Sequence, residues 1–149
     1  MFIEFISNKI VISIFFTIFI SHLIKFIINS SENKKLEWWS WIDTGGMPSS
    51  HSAITAALAI SIGIFEGINS TLFIVAFIFA GVTIRDAIGV RRTVDKLISC
   101  VNKIVASRKI KVTHIKTIAG HTPIQVLIGA SLGILVPIIV FFVTKSLGY

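Results

Sequence analysis

Four stretches of this chain lack any Asp, Glu, Lys or Arg: residues 10–24, 52–65, 67–84 and 122–144. A helix that crosses a membrane needs about 20 mostly apolar residues, with a range of about 17–25. The first stretch meets that length because apolar character resumes after Lys25 and runs to Ile28. The third and fourth meet it as they stand. The second is shorter and reads as a tilted or buried helix. The sequence therefore predicts four membrane helices, at approximately 9–28, 49–65, 68–90 and 122–144. The expectation is an all-α integral membrane protein, a bundle of about four transmembrane helices forming one domain over residues 1–149.

Composition supports that reading. Hydrophobic residues make up 54% of the chain and charged ones 14%, whereas soluble domains carry roughly 25% charged residues. A disordered segment would be poor in apolar residues. The net charge of +7 is basic, but the chain is too apolar for nucleic acid to be the expected partner. Cys100 is the single cysteine, so neither an intrachain disulfide nor a cysteine zinc framework is expected. Residues 1–8 contain Glu4 and no basic residue, and no small-x-small cleavage site follows. The first run thus reads as a retained helix, not a cleaved signal peptide.

Residues 92–107 behave differently. Val94, Leu97, Ile98, Val101, Ile104 and Val105 recur at helical spacing, while Asp95, Lys96, Ser99, Asn102 and Lys103 occupy much of the remaining surface. This predicts an additional amphipathic helix lying at the membrane interface, or a continuation of the third helix. A short helix packed on its own protein fits the pattern equally well. Residues 108–116 read as a basic loop.

Loop charge gives an expected orientation. Four spans put residues 29–47 and 91–120 on one side. That side holds Lys34, Lys35, Arg91, Arg92, Lys96, Lys103, Arg108, Lys109, Lys111 and Lys116; the other has Lys9 and Lys145. The positive-inside rule makes the cation-rich side cytoplasmic. The expected location is the cell (inner) membrane, multi-pass, with both termini facing out.

The polar groups within the spans converge on that same side. Lys25 lies near the end of the first helix, and His51 opens the second. Arg85, Asp86, Arg91 and Arg92 close the third, and His121 opens the fourth. Ionisable groups in or beside spans are costly and usually face protein or water. Each has a plainer explanation: Lys25 snorkelling to the interface, Arg91 and Arg92 as cytoplasmic anchors, Asp86 as a structural partner. Together they make an anion pocket.

Two helix starts sharpen this. Gly45-Gly46-Met47-Pro48-Ser49-Ser50-His51 is a glycine approach followed by a start with Ser49 or Ser50 as N-cap. Gly120-His121-Thr122-Pro123 is a second start, with Thr122 able to cap and Pro123 suited to the first helical position. Helix N-termini present free N–H groups and a positive dipole end, so both are phosphate seats. Of two histidines delivered there, one can attack phosphorus while the other protonates the leaving oxygen.

These residues resemble the type 2 phosphatidic acid phosphatase superfamily, which includes vanadium haloperoxidases, and within it the small divergent branch of membrane proteins. Pro48-Ser49-Ser50-His51 resembles the Pro-Ser-Gly-His motif. His121, Gln125, Val126, Gly129 and Gly133 resemble the final motif, a histidine followed by an acid, a valine and spaced glycines. The segment from Asp86 to Arg92 and that from Ser21 to Lys25 look like the divergent branch's own. The superfamily's Arg-Pro is absent, its Ser-Arg pair is replaced by His114 and Ile115, and its acid is Gln125. Arg91 or Arg92 and Lys25 are the candidate replacements for the missing cations, and Asp86 for the missing carboxylate.

The resemblance implies a lipid phosphate or pyrophosphate phosphatase in which His121 carries a phosphohistidine and His51 protonates the leaving group. Lys25, Arg91 and Arg92 would neutralise the phosphoryl oxygens, helped by backbone N–H groups near Ser49, Ser50 and Thr122. No metal and no cofactor is expected, since the motifs supply no compact carboxylate or cysteine cluster. The alternative is a non-catalytic binder or translocator of anionic phospholipids or polyprenyl phosphates. Four helices enclose little volume, which fits a homodimer.

Overall fold

A computed structural model describes residues 2–33, 46–108 and 120–148, and among these every regular element is a helix. The helices are α1 (Phe2–Ser7), α2 (Lys9–Asn33), α3 (Ser50–Phe65), α4 (Thr71–Ile88), α5 (Val90–Ser107) and α6 (Pro123–Ser146). Among the described residues Lys9–Ser31, Thr71–Ser107 and Pro123–Ser146 are long and apolar enough to cross a membrane, and Ser50–Phe65 is a shorter apolar helix. The protein is an all-α membrane protein, and the four charge-free runs are α2, α3, α4 and α6. The basic connections at 34–45 and 109–119 lie outside the described residues, and with them Lys34, Lys35, Gly45, Lys109, Lys111, His114, Ile115 and Lys116.

Local chemistry sets the boundaries. Asn8 separates α1, which the sequence did not predict, from α2, and its side-chain oxygen accepts the Ile10 N–H at 2.8 Å. Gly67, at φ +94°, turns the chain after α3, and the Ser70 hydroxyl caps α4 by accepting the Phe73 N–H at 3.1 Å. Gly89 (φ −91°, ψ −85°) then separates α4 from α5. The amphipathic segment is thus a helix of its own, starting at Val90. Among the described helices it packs only on α4. Leu97, Val101 and Ile104 stay exposed among the described residues, which suits an apolar face turned toward lipid.

The central helix is α3, which packs on α2, α4 and α6. In lipid no hydrophobic force drives helices together, so close backbone approach through small residues must do it. Ala53, Ala56, Ala57 and Ala59 are buried. A Cβ added at Gly129 would lie 2.3 Å from the Ser49 carbonyl oxygen, and one at Gly133 2.3 Å from that of Ala53. Two glycines four residues apart thus meet two α3 residues four apart, so α3 and α6 run parallel from a common end. On the other side, Ala59 and Ile62 of α3 form a small core with Ala76 and Ala80 of α4. α6 continues through Pro137, which is fully buried.

The rotation of α2 has its own cause. Ser13, Thr17, Ser21 and Lys25 recur every four residues and are all buried. The Ser13 and Thr17 hydroxyls donate to the carbonyls of Lys9 and Ser13, each at 2.8 Å. Such back-bonding satisfies a hydroxyl without water. The Ser21 hydroxyl donates across to Ser50 of α3 at 3.4 Å. This polar stripe faces the bundle and carries Lys25 inward with it. α3, with 16 residues, is only about 24 Å long at 1.5 Å per residue, short of a hydrocarbon core of about 30 Å.

Candidate active site

The site lies where α3 and α6 begin. Ser49 is the N-cap of α3; its hydroxyl meets that of Ser52 at 2.9 Å and accepts the Ser52 N–H at 3.5 Å. Ser50, the other candidate cap, is the first helical residue. The Ser49 N–H donates to the Gln125 carbonyl at 3.1 Å, so the cap of α3 is level with the first turn of α6. α6 opens on a capping box: the Thr122 hydroxyl accepts the Gln125 N–H at 3.3 Å, and Gln125 Oε1 accepts the Thr122 N–H at 2.9 Å. Pro123 fills the first turn. The N–H groups of Ser49 and Thr122 are therefore engaged by protein. The remaining first-turn donors of α3 are those of Ser50 and His51.

His121 stands just outside this box, 3% exposed. Its backbone N–H donates to the Ala87 carbonyl at 3.3 Å, tying the turn to the end of α4. Its Nδ1 is buried and has no hydrogen-bond partner among the described residues. Burial is the largest influence on its pKa and holds it below the ordinary 6.5; the Gln125 side chain acts in the opposite sense, and Lys25, His51 and Arg91 lower it further. A neutral imidazole with one buried, unpartnered ring nitrogen among the described residues results.

Lys25, 2% exposed, comes from α2. His51 is exposed at the rim and lies within electrostatic reach of Arg91, Lys25 and Asp86. Arg91, at the start of α5, bonds Asp86 at the end of α4 through Nε and Oδ2, 2.6 Å apart. That pair spans Gly89, where α4 ends and α5 begins. Gly120, before His121, rests on α5: a Cβ there would lie 2.6 Å from Arg92 Cα and 2.9 Å from the Arg91 carbonyl carbon.

Lys25, His51, Asp86, Arg91 and His121 are thus brought together from five elements. Arg92 is exposed, and Arg85 lines a groove on the α4–α5 elbow with Val82, Val90 and Thr93. Asp86 pairs with Arg91, not with its sequence neighbour Arg85. Gln125 serves the capping box and the His121 environment at once. Sequence reasoning did not single out Ser21 or Ser52, which support Ser50 and Ser49. The four-residue spacing of Ser13, Thr17, Ser21 and Lys25 was the signal for the first of these.

Helical spans, a buried lysine and two histidine-bearing helix starts meet at one end of this membrane protein's bundle. Residues 6–136 match the model of the divergent PAP2 family, and the chain belongs to that family. It is 34% identical over 154 residues to the uncharacterized membrane protein YuiD of Bacillus subtilis (strain 168), an alignment that covers 93% of this chain and 98% of YuiD. No solved structure matches.

Proposed function

We propose that this protein is a membrane lipid phosphatase that hydrolyses a lipid phosphate or pyrophosphate, with His121 as nucleophile and His51 as general acid. The observation that supports this reading is the buried His121 imidazole, its Nδ1 without a hydrogen-bond partner among the described residues, within electrostatic reach of Lys25 and Arg91. Neutral imidazole is the nucleophilic form, and its lowered pKa keeps that form at neutral pH. First, a ring nitrogen of His121 attacks phosphorus. The P–N bond forms, the P–O bond to the lipid breaks, and His51 gives its proton to the leaving oxygen. Then water attacks phosphorus and gives a proton to His51, the P–N bond breaks, and inorganic phosphate leaves.

Phosphoryl transfer asks a protein mainly for positioning and charge. Lys25 and Arg91 neutralise the phosphoryl oxygens, Arg92 guards the rim, and the α3 start at Ser50 offers N–H donors. Asp86 holds Arg91 in place. Ser49, Thr122 and Gln125 fix the two helix starts against each other. The apolar flanks leave the substrate's tail in the bilayer while its head meets the charged end of the bundle, so glycerolipid phosphates and polyprenyl phosphates both fit.

Phosphate release from a panel of such lipids by the purified protein tests the reading. His51→Ala should cost about 10²–10⁴-fold on an alkyl phosphate. It should cost far less on an aryl phosphate, whose good leaving group needs little proton donation. Equal losses on both would remove His51 from the general-acid role. The second reading, a binder or translocator of anionic lipids, is favoured by one observation. Gln125 stands in the capping box where a carboxylate could have stabilised an imidazolium.

We further propose that the site faces the cytoplasm. Cys100 sits exposed on α5 and reports that side directly. A membrane-impermeant thiol reagent should leave it unlabelled in intact cells and label it after permeabilisation. Lys145→Cys in a Cys100→Ser background should label in intact cells. The reverse pattern would invert the orientation.

A further inference from the structure

Asp95 lies one turn after Arg91 on α5, and residues four apart on a helix share a face. Its Oδ2 accepts the N–H of Gly120, 25 residues on, the residue directly before His121. Its Oδ1 is buried without a hydrogen-bond partner among the described residues. The next N–H in the chain, that of His121, donates to Ala87 of α4. The turn bearing His121 is therefore pinned at two successive N–H groups, one to α4 and one to α5. The α5 pin is a side chain, and Gly120 lies against the α5 backbone beside it.

Asp95 is not the cap of α6, because the first turn of α6 is satisfied by Thr122 and Gln125. Nor does it figure among the charges that act on the His121 imidazole. Among the described residues its hydrogen bond is to the Gly120 backbone. A carboxylate accepting an N–H makes a charge-assisted bond, roughly twice as strong as a neutral one.

We infer that Asp95 is a positioning residue that, acting through Gly120, holds the His121 turn against α5 and so fixes the imidazole relative to Arg91. The inference rests on the phosphatase reading for its kinetic consequence but not for its structural one. Arg91 and Asp95 share one face of one helix, so a single element places the cation and the nucleophile's turn. Without the pin, Gly120 has no side-chain anchor on α5 and His121 gains freedom to leave its buried position. A displacement of about 1 Å at a reacting group can cost about 10²-fold in rate.

The test is the titration of His121 followed by ¹⁵N NMR on the purified, histidine-labelled protein, alongside kinetics on a lipid phosphate. In the wild type His121 should titrate below 6.5. Asp95→Ala should move the midpoint up toward 6.5 and lower kcat about 10²-fold with KM little changed. Asp95→Asn, whose amide oxygen still accepts the N–H, should keep the wild-type titration. Gly120→Ala reaches the same contact from the other side and should reproduce the Asp95→Ala shift even where Asp95→Ala folds poorly. A His121 titration unmoved in both Asp95→Ala and Gly120→Ala, with helicity intact, would overturn the inference. A wild type that releases no phosphate would instead sink the phosphatase reading and leave the titration to decide the role of Asp95.

Discussion

His121→Ala should lower phosphate release from a lipid phosphate by about 10⁴-fold or more, the scale seen when a covalent nucleophile is removed. Among the described residues His121 is the buried histidine of the site. His51 is exposed at the rim, and Lys25 and Arg91 are cations with no free lone pair while protonated. The fold should survive the change. The tie from this turn to α4 uses the backbone N–H of residue 121, which alanine keeps, and the tie to α5 uses Gly120. Helicity and thermal unfolding should match the wild type while turnover falls to background. Binding of inorganic phosphate should persist, since Lys25 and Arg91 remain. Wild-type turnover in His121→Ala would exclude the covalent mechanism.

The second large effect is expected from Gly129→Ala. The new methyl would meet the Ser49 carbonyl oxygen at 2.3 Å, and backbone cannot rotate aside as a side chain can. That carbonyl also accepts the Ala53 N–H at 3.0 Å, the bond that opens α3. Relief requires α3 and α6 to separate at the end where His51 and His121 stand. Overpacking of this kind costs about 1–3 kcal/mol, and the displaced histidines should lose about 10²-fold in rate. Gly81→Ala is the control, since a Cβ there meets nothing within 4 Å. It should leave stability and activity near wild type. Thermal unfolding in detergent, paired with turnover, separates the two variants. Equal behaviour of Gly129→Ala and Gly81→Ala would show that close α3–α6 contact is not what holds the site.

The helices were legible because lipid imposes one strong rule: a spanning segment must be apolar and satisfy its own backbone. Absence of charge therefore located α2, α3, α4 and α6, and Ser, Thr, Pro and Gly marked their ends. The α4–α5 elbow was less legible. Gly89 is one glycine in a continuous helical pattern, and periodicity does not say whether such a residue bends the chain. Arg91 and Asp86 are five residues apart with Gly89 between them, a spacing that neighbour rules within one helix do not pair. The backbone donors of Ser49 and Thr122 read as free in the sequence. The acceptor of the Thr122 N–H, the Gln125 side chain, belongs to a local Thr-x-x-Gln capping box that the sequence does carry. That of the Ser49 N–H, the Gln125 carbonyl, depends on how two distant helix starts dock, which no local pattern records. Asp95 was hidden for a similar reason. In sequence it is one polar residue on an amphipathic helix, and its partner Gly120 lies beyond a long connection. The stripe from Ser13 to Lys25 was missed for a different reason: its four-residue spacing is written in the sequence, but hydroxyl residues in an apolar helix give little hydropathy contrast, and only packing shows that they set which way Lys25 points.

Phosphoryl transfer to His121 is the central claim, and rapid quenching during turnover tests it most directly. Purified protein would be mixed with a lipid phosphate carrying ³²P in its head group, stopped within the first turnover in alkali, digested, and its labelled peptides mapped. Acid-labile, alkali-stable label is expected on the peptide containing His121, absent in His121→Ala and accumulating in His51→Ala with an aryl phosphate substrate. Wild-type protein that binds the phosphate head group yet releases no phosphate and carries no label on His121 would contradict it, and would make this a binder or translocator of anionic lipids.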